Sequence, residues 1–152
     1  MNLLFFLGFL LAAAAAAANQ LCRLSSSDIL IDDTCYRFEN SNLNYHDAQR
    51  YCHIMKMNVA IAKDERKWNF LASMAVTKFG ITNGNFYIGL SRSNASSPFY
   101  WDDGTPLEVH NFGIMTPQNN VIELMHTSKW TTVNPTEPHL FICSYLMNAT
   151  HS

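Results

Sequence analysis

Four cysteines, Cys22, Cys35, Cys52 and Cys143, follow an uncharged apolar run at Leu3–Ala18 in a chain of 152 residues. An even number of thiols behind such a leader reads as two disulfides formed in an oxidising compartment. Three connectivities are open. A Cys22–Cys35 bridge would close a short N-terminal hairpin, and a Cys52–Cys143 bridge would tie an early segment to a late one. In the chain-entropy view, cross-linking a loop of about 90 residues stabilises by ~4–5 kcal/mol. Zinc is the rival use of such residues. The chain has no C-x-x-C pair and no histidine pair at zinc-finger spacing, so no zinc site is expected.

The apolar run ends in the tract Ala12–Ala18, and polar Asn19-Gln20 follows at once. Signal peptidase requires small residues before its cut, so residues 1–18 read as a signal peptide cleaved after Ala18. No Lys or Arg precedes the run, so the α-amino group alone makes its start positive. As an uncleaved anchor the run would span about 24 Å, short of a ~30 Å hydrocarbon core. No second run of membrane length follows. The mature chain is therefore expected to be secreted and extracellular, with no membrane insertion after cleavage. Lys+Arg number 10 against 12 Asp+Glu, a net charge of −2. That balance excludes the basic footprint needed for nucleic acid or an anionic membrane.

Asn44 reads as a helix cap, with Asp47 three residues on, and Tyr45, Ala48, Cys52 and Met55 then share one face. Asp64-Glu65 opens a second helix whose stripe is Trp68, Leu71, Ala72, Ala75 and Phe79; Gly80 and Asn83-Gly84 end it. The remainder reads as strand and loop. Thr34–Phe38, Phe86–Leu90, Phe99–Trp101, Val121–Leu124, Lys129–Thr132 and Leu140–Tyr145 are the expected strands. Thr105–Asn120 has no period and contains Pro106, Gly113 and Pro117, so a long loop is expected there.

Several short motifs occur in a specific order. Cys35-Tyr36-Arg37-Phe38 and Ala48-Gln49-Arg50-Tyr51-Cys52 come first, then Tyr87-Ile88-Gly89-Leu90 and Tyr100-Trp101-Asp102-Asp103-Gly104. Asn111-Phe112, Trp130 and Phe141-Ile142-Cys143 complete the series. Together they resemble the C-type lectin-like domain: its opening strand and helix, its W-I-G-L strand, its W-x-D-G turn, its N-W pair and its closing strands. The resemblance implies an α+β C-type lectin-like fold, two helices packed on antiparallel sheets with a long loop. It also implies Cys52–Cys143 pairing, with Cys22–Cys35 as the N-terminal hairpin bridge. The division that follows is 1–18 signal peptide, 19–34 N-terminal hairpin extension, 35–146 lectin-like domain and 147–152 C-terminal tail. A second, inner disulfide of the family would fall near Val121 and Pro135, and both of its cysteines are absent.

Sugar-binding members hold Ca²⁺ with an E-P-N or Q-P-D triplet in the long loop and an N-D pair after the strand tryptophan. Here those positions read Thr116-Pro117-Gln118 and Thr131-Thr132, and a further acidic position falls near Asn119. Between Gly104 and Thr136 the only acids are Glu108 and Glu123. Ca²⁺ takes about 6–8 oxygens, and charged ones set its affinity. The family's Ca²⁺ site is therefore expected to be lost and no cofactor is expected. Pro117 survives without its neighbours; in the family this proline is often cis, and a retained cis bond would be a backbone device here.

Sugar binding without Ca²⁺ needs amides and hydroxyls that match sugar OH groups. The candidate residues are Thr116, Gln118, Asn119, Asn120 and Asn111; the competing reading is that these amides merely make turns. Trp68, Trp101 and Trp130 read as core. His46 and His53 are seven apart on the first helix and read as solvated. No nucleophile elbow, zinc-protease or phosphate-loop motif occurs, so no enzyme is expected. Asn94-Ala95-Ser96 and Asn148-Ala149-Thr150 are N-glycosylation sequons, and Asn134-Pro135-Thr136 is blocked by proline. The whole reading is a secreted, monomeric module that binds an extracellular glycan or glycoprotein. The alternative is a protein-binding or structural extracellular module with no sugar binding.

Overall fold

A computed structural model describes residues 21–147; the expected cleavage point, Asn148 and the rest of the C-terminal tail beyond Met147 lie outside them. The elements in chain order are β1 (Ile29–Ile31), β2 (Thr34–Leu43), α1 (Tyr45–Ile54), β3 (Asn58–Val59) and α2 (Glu65–Phe79). Then come β4 (Asn85–Ser91), β5 (Tyr100–Trp101), β6 (Phe112–Ile114), β7 (Asn120–Leu124), β8 (Trp130–Val133) and β9 (His139–Leu146).

Both helices begin where the caps predict. The Asn44 side chain accepts from the Asp47 N–H at 2.9 Å, and the Asn44 amide donates back to the Asp47 carboxylate at 2.8 Å. Asp64 caps α2 by accepting from the Lys67 N–H at 2.9 Å. These bonds satisfy N–H groups that the first turn leaves without partners. Gly80 ends α2 in the left-handed region at φ 70°, a conformation that costs a residue with a Cβ.

The strands form one connected sheet in the order β1-β2-β9-β4-β7-β8-β6, with β3 added on β9 and β5 on β4. Most pairs are antiparallel, as expected, but β4 runs parallel to β9 and β6 parallel to β8. The sheet is therefore mixed. Chain closure explains the first parallel pair, because β9 enters between β2 and β4 to close the sheet around the early strands.

Side-chain alternation decides where the helices go. Leu140 and Ile142 of β9, with Phe86, Ile88 and Leu90 of β4, pack with Trp68, Leu71, Ala75 and Phe79 of α2. The alternate residues Phe141, Cys143 and Tyr145, with Tyr87 of β4, pack with Tyr45, Ala48 and Cys52 of α1. The central strands are thus apolar on both faces, each face covered by one helix. Both disulfides, Cys22–Cys35 and Cys52–Cys143, lie in the α1 cluster. Gly89 is fixed by close approach: a Cβ there would collide with the Val59 carbonyl.

Several sequence expectations need adjustment. β2 runs five residues past Phe38, and the two-residue β3 and the short β1 carry no periodic signal of their own. The long loop is not structureless, because β6 forms within it and Asn120 already belongs to β7. Among the described residues no peptide bond is cis, that of Pro117 included, so the family's frequent cis proline is not retained.

Candidate functional site

The platform of the site is an aromatic column. Trp130 is fully buried and meets Trp68 of α2 at 5.2 Å, Trp101 of β5 at 5.7 Å and Phe112 of β6 at 5.6 Å between ring centroids, all edge to face. Phe112 in turn meets Phe99 at 5.2 Å. Such pairs add to area burial and fix ring orientation. The three tryptophans are core, as expected. They pack α2 against β5, β6 and β8 beneath the long loop.

On that platform β6 pairs with β8, Phe112 against Trp130 and Ile114 against Thr131. Beyond the end of β6, Thr116 meets Thr132 through its backbone N–H and hydroxyl. Their hydroxyls lie 2.7 Å apart, and the Thr116 N–H donates to the Thr132 hydroxyl at 2.6 Å. These are two of the positions where the family pattern would place carboxylates or amides for a metal. Here they bond to each other.

The other tie is Arg92, just beyond β4. Its Nε and Nη2 both donate to the Gln118 carbonyl, at 3.2 and 2.9 Å. Nη2 also donates to the Thr116 carbonyl at 2.9 Å, and Nη1 to the Ala95 carbonyl at 3.0 Å. The guanidinium lies over the Phe99 ring, 4.6 Å from its centroid, a cation–π placement that favours a charge on an aromatic face. Its planar fork suits several acceptors at once, which a lysine ammonium does not. One cation thereby links the 92–99 segment to the 116–118 segment.

The predicted site residues separate into groups. Gln118 is exposed; its backbone is held by Arg92, and among the described residues its side chain has no hydrogen-bond partner. Asn119 is half-buried; its Nδ2 donates to the Ser93 carbonyl at 3.5 Å, while its Oδ1 is buried without a partner. Thr116 lies between them and the Thr132 clasp. Asn120 is buried in β7, opposite Val133, and so does not join the surface cluster. Asn111 is also apart. Its amide donates to the Ser128 carbonyl at 2.6 Å and its oxygen accepts from Lys129 Nζ at 3.0 Å, so it closes the β8 turn.

The two loop acids stand apart from this cluster. Glu108 is exposed at the loop entry. Glu123 is 0% exposed in β7, and neither carboxylate oxygen has a hydrogen-bond partner. Burial pushes its pKa well above the ordinary carboxylate value; the Trp130 indole N–H opposes that shift, although it forms no well-aligned hydrogen bond.

Sequence reasoning missed two residues. Arg92 gave no signal beyond being a single cation within the Ser-rich stretch Ser91–Pro98. Asp102 read only as a turn residue. Its buried carboxylate accepts from Gln49 Nε2 at 2.7 Å, from the Val59 N–H at 2.8 Å and pairs with His53 Nε2 at 2.8 Å. His53 is exposed, as expected, and its ring also joins α1 to the turn after β5. Around the loop tip, Val109, Ile114 and Met115 are 58, 72 and 50% exposed.

Residues 41–145 match the family model described as the lectin C-type domain. The mouse protein named CD209 antigen-like protein A is 26% identical over 95 residues, which cover 62% of this chain and 38% of that protein. The chain thus spans well under half of that relative's length. Human lithostathine, a solved structure, is 22% identical with a TM-score of 0.72, over 80% of this chain and 90% of that one. A calcium-independent type II antifreeze protein is 16% identical with a TM-score of 0.68, over 80% of this chain and 93% of that one. At those identities the structural likeness speaks to fold alone. The domain match, the two disulfides and the sheet order agree with the motif series, and the chain belongs to the C-type lectin domain family.

Proposed function

We propose that this chain is a secreted binding module that takes an extracellular glycan or glycoprotein through the Thr116–Asn119 face of its long loop, without Ca²⁺ or any other cofactor. Residues 1–18 act as its signal peptide and the mature domain works as a monomer. The role proposed for it is binding, and no reaction is proposed.

The observation that carries the calcium-free reading is Arg92. The donor set available to a divalent ion is neutral: two threonine hydroxyls already bonded to each other, and the amides of Gln118 and Asn119. Ca²⁺ affinity depends on charged oxygens. A guanidinium bonded to the carbonyls of residues 95, 116 and 118 occupies backbone oxygens and adds positive charge. The residues therefore do not fit the family's metal. Instead, the arginine supports the loop in one shape before ligand arrives, which lowers the ordering cost of binding. The exposed side chain of Gln118 is the group available to sugar hydroxyls; the buried Oδ1 of Asn119 would have to turn outward to join it.

The second reading, a protein ligand, draws on Val109, Ile114 and Met115, whose exposure gives the loop tip an apolar surface. A glycan array probed with the purified chain, with and without chelator, separates the readings. Chelator-resistant signal that Gln118→Ala abolishes is the expected result. Calcium-dependent signal refutes the metal-free site. A blank array with a protein captured through the Ile114–Met115 surface favours the second reading.

A further inference from the structure

The segment that Arg92 ties to the candidate site carries the sequon Asn94-Ala95-Ser96. Asn94 is exposed. Its Oδ1 accepts from the Ser96 N–H at 3.0 Å and from the Ser96 hydroxyl at 2.8 Å, while among the described residues no hydrogen bond engages Nδ2. The amide nitrogen is thus left for reaction. The blocked sequence Asn134-Pro135-Thr136 adopts the same internal bonding, at 3.0 and 2.9 Å. Turn geometry alone therefore does not mark a site, and the residue between Asn and Ser decides.

Position gives the sequon its meaning. The Arg92 N–H donates to the Asn119 carbonyl at 2.9 Å, and Asn119 Nδ2 donates to the Ser93 carbonyl at 3.5 Å. The same guanidinium that holds the Ala95 carbonyl, inside the sequon, holds those of Thr116 and Gln118. Met115 completes the edge, with its sulfur 3.9 Å from Arg92 Nη1. Asn94 is therefore fixed beside the loop face proposed to bind ligand.

We propose that Asn94 carries an N-linked oligosaccharide, and that this glycan screens the Met115–Asn119 edge of the long loop. In the transfer, the anomeric carbon of a lipid-pyrophosphate-linked oligosaccharide bonds to Asn94 Nδ2. The bond from that carbon to the pyrophosphate oxygen breaks, its electron pair leaves with the lipid pyrophosphate, and Nδ2 loses one proton. The bulky, hydrated chain then stands over an edge that otherwise exposes Met115. Access to the Gln118 face is then narrowed, which favours the projecting glycan of a glycoprotein over a broad protein surface. The inference rests on the secretory reading above, because this transfer occurs only on the export pathway.

The test expresses the full chain with its own leader in mammalian cells, as wild type, Asn148→Gln and Asn94→Gln/Asn148→Gln. The Asn148→Gln chain in the medium should show a gel shift that peptide N-glycosidase removes, and the double variant should lack it. On folded Asn148→Gln protein, peroxide oxidation of Met115 should rise about twofold or more after enzymatic deglycosylation, with buried Met57 and Met125 as internal references. Comparing one protein before and after the enzyme keeps the test valid if the double variant folds poorly. Exported Asn148→Gln chain without the shift overturns this inference and leaves the secretory reading intact. Retention of unmodified chain inside the cell overturns both. An occupied Asn94 with unchanged Met115 oxidation overturns the screening.

Discussion

Replacing Arg92 by methionine keeps an apolar stem on the Phe99 ring and removes every donor of the guanidinium. Three loop carbonyls, Ala95, Thr116 and Gln118, lose their partner. At ~1 kcal/mol per acceptor the loss is about 3 kcal/mol; partial exposure lets water take over some of it, leaving about 2 kcal/mol. The loss falls on the loop, because the sheet and the helices make no bond to this side chain among those described. A local opening eased by about 2 kcal/mol raises amide exchange about 30-fold in the segment that opens. Native-state hydrogen exchange followed by NMR is the direct assay. The N–H groups of Thr116, bonded to Thr132, and of Arg92's own position, bonded to Asn119, are the reporters. Backbone N–H groups of β4 and β9 serve as references and should not change. Arg92→Lys should fall between wild type and methionine, since it keeps the charge but only one point of donation. Exchange at both reporters within about twofold of wild type in Arg92→Met would show that the arginine is an onlooker.

Three further outcomes follow from the same geometry. Glu123 has a folded-state pKa above its usual 4.5, so folding favours the protonated form, and stability is lost as pH rises from that value towards the folded pKa. Glu123→Gln removes the penalty, and its advantage in urea unfolding should grow by ~1.4 kcal/mol per pH unit across that window; an advantage independent of pH contradicts this. Removing the Cys52–Cys143 bridge, whose sequence separation is 91 residues, as a Cys52→Ala/Cys143→Ala pair should cost about 4–5 kcal/mol in the denaturant midpoint, against about 3 kcal/mol for the Cys22–Cys35 pair. Asp102→Ala leaves the Val59 N–H and the Gln49 amide without their acceptor, and thermal unfolding should report roughly 2–4 kcal/mol of lost stability; a loss under about 1 kcal/mol would mean that water replaces the carboxylate.

Helix positions were readable from the chain because their causes are local. Asn44 and Asp64 are caps whose partners lie three residues away, and each apolar stripe recurs at helical spacing. The central strands were readable because burial on both faces leaves continuous apolar runs, as in Phe86–Leu90. The cysteine count gave two bridges, and the motif order gave their pairing and the family. Strands with no such signature, β1, β3 and β6, depend on partners far along the chain. Ile114 becomes strand only because Thr131 lies beside it.

The candidate site divides the same way. Loss of negative charge at the family's metal positions is a statement about residue identity, so sequence sufficed for it. What stands in that loop instead is a matter of distance between residues more than twenty positions apart. Only the tertiary structure brings Arg92 to the carbonyls of Thr116 and Gln118, separates Asn111 and Asn120 from the surface amides and makes Asp102 the acceptor for α1 and β3. Periodicity records which side of its own element a residue faces. It carries no record of what the folded chain sets against that side, and hydrogen bonding at this loop is decided there.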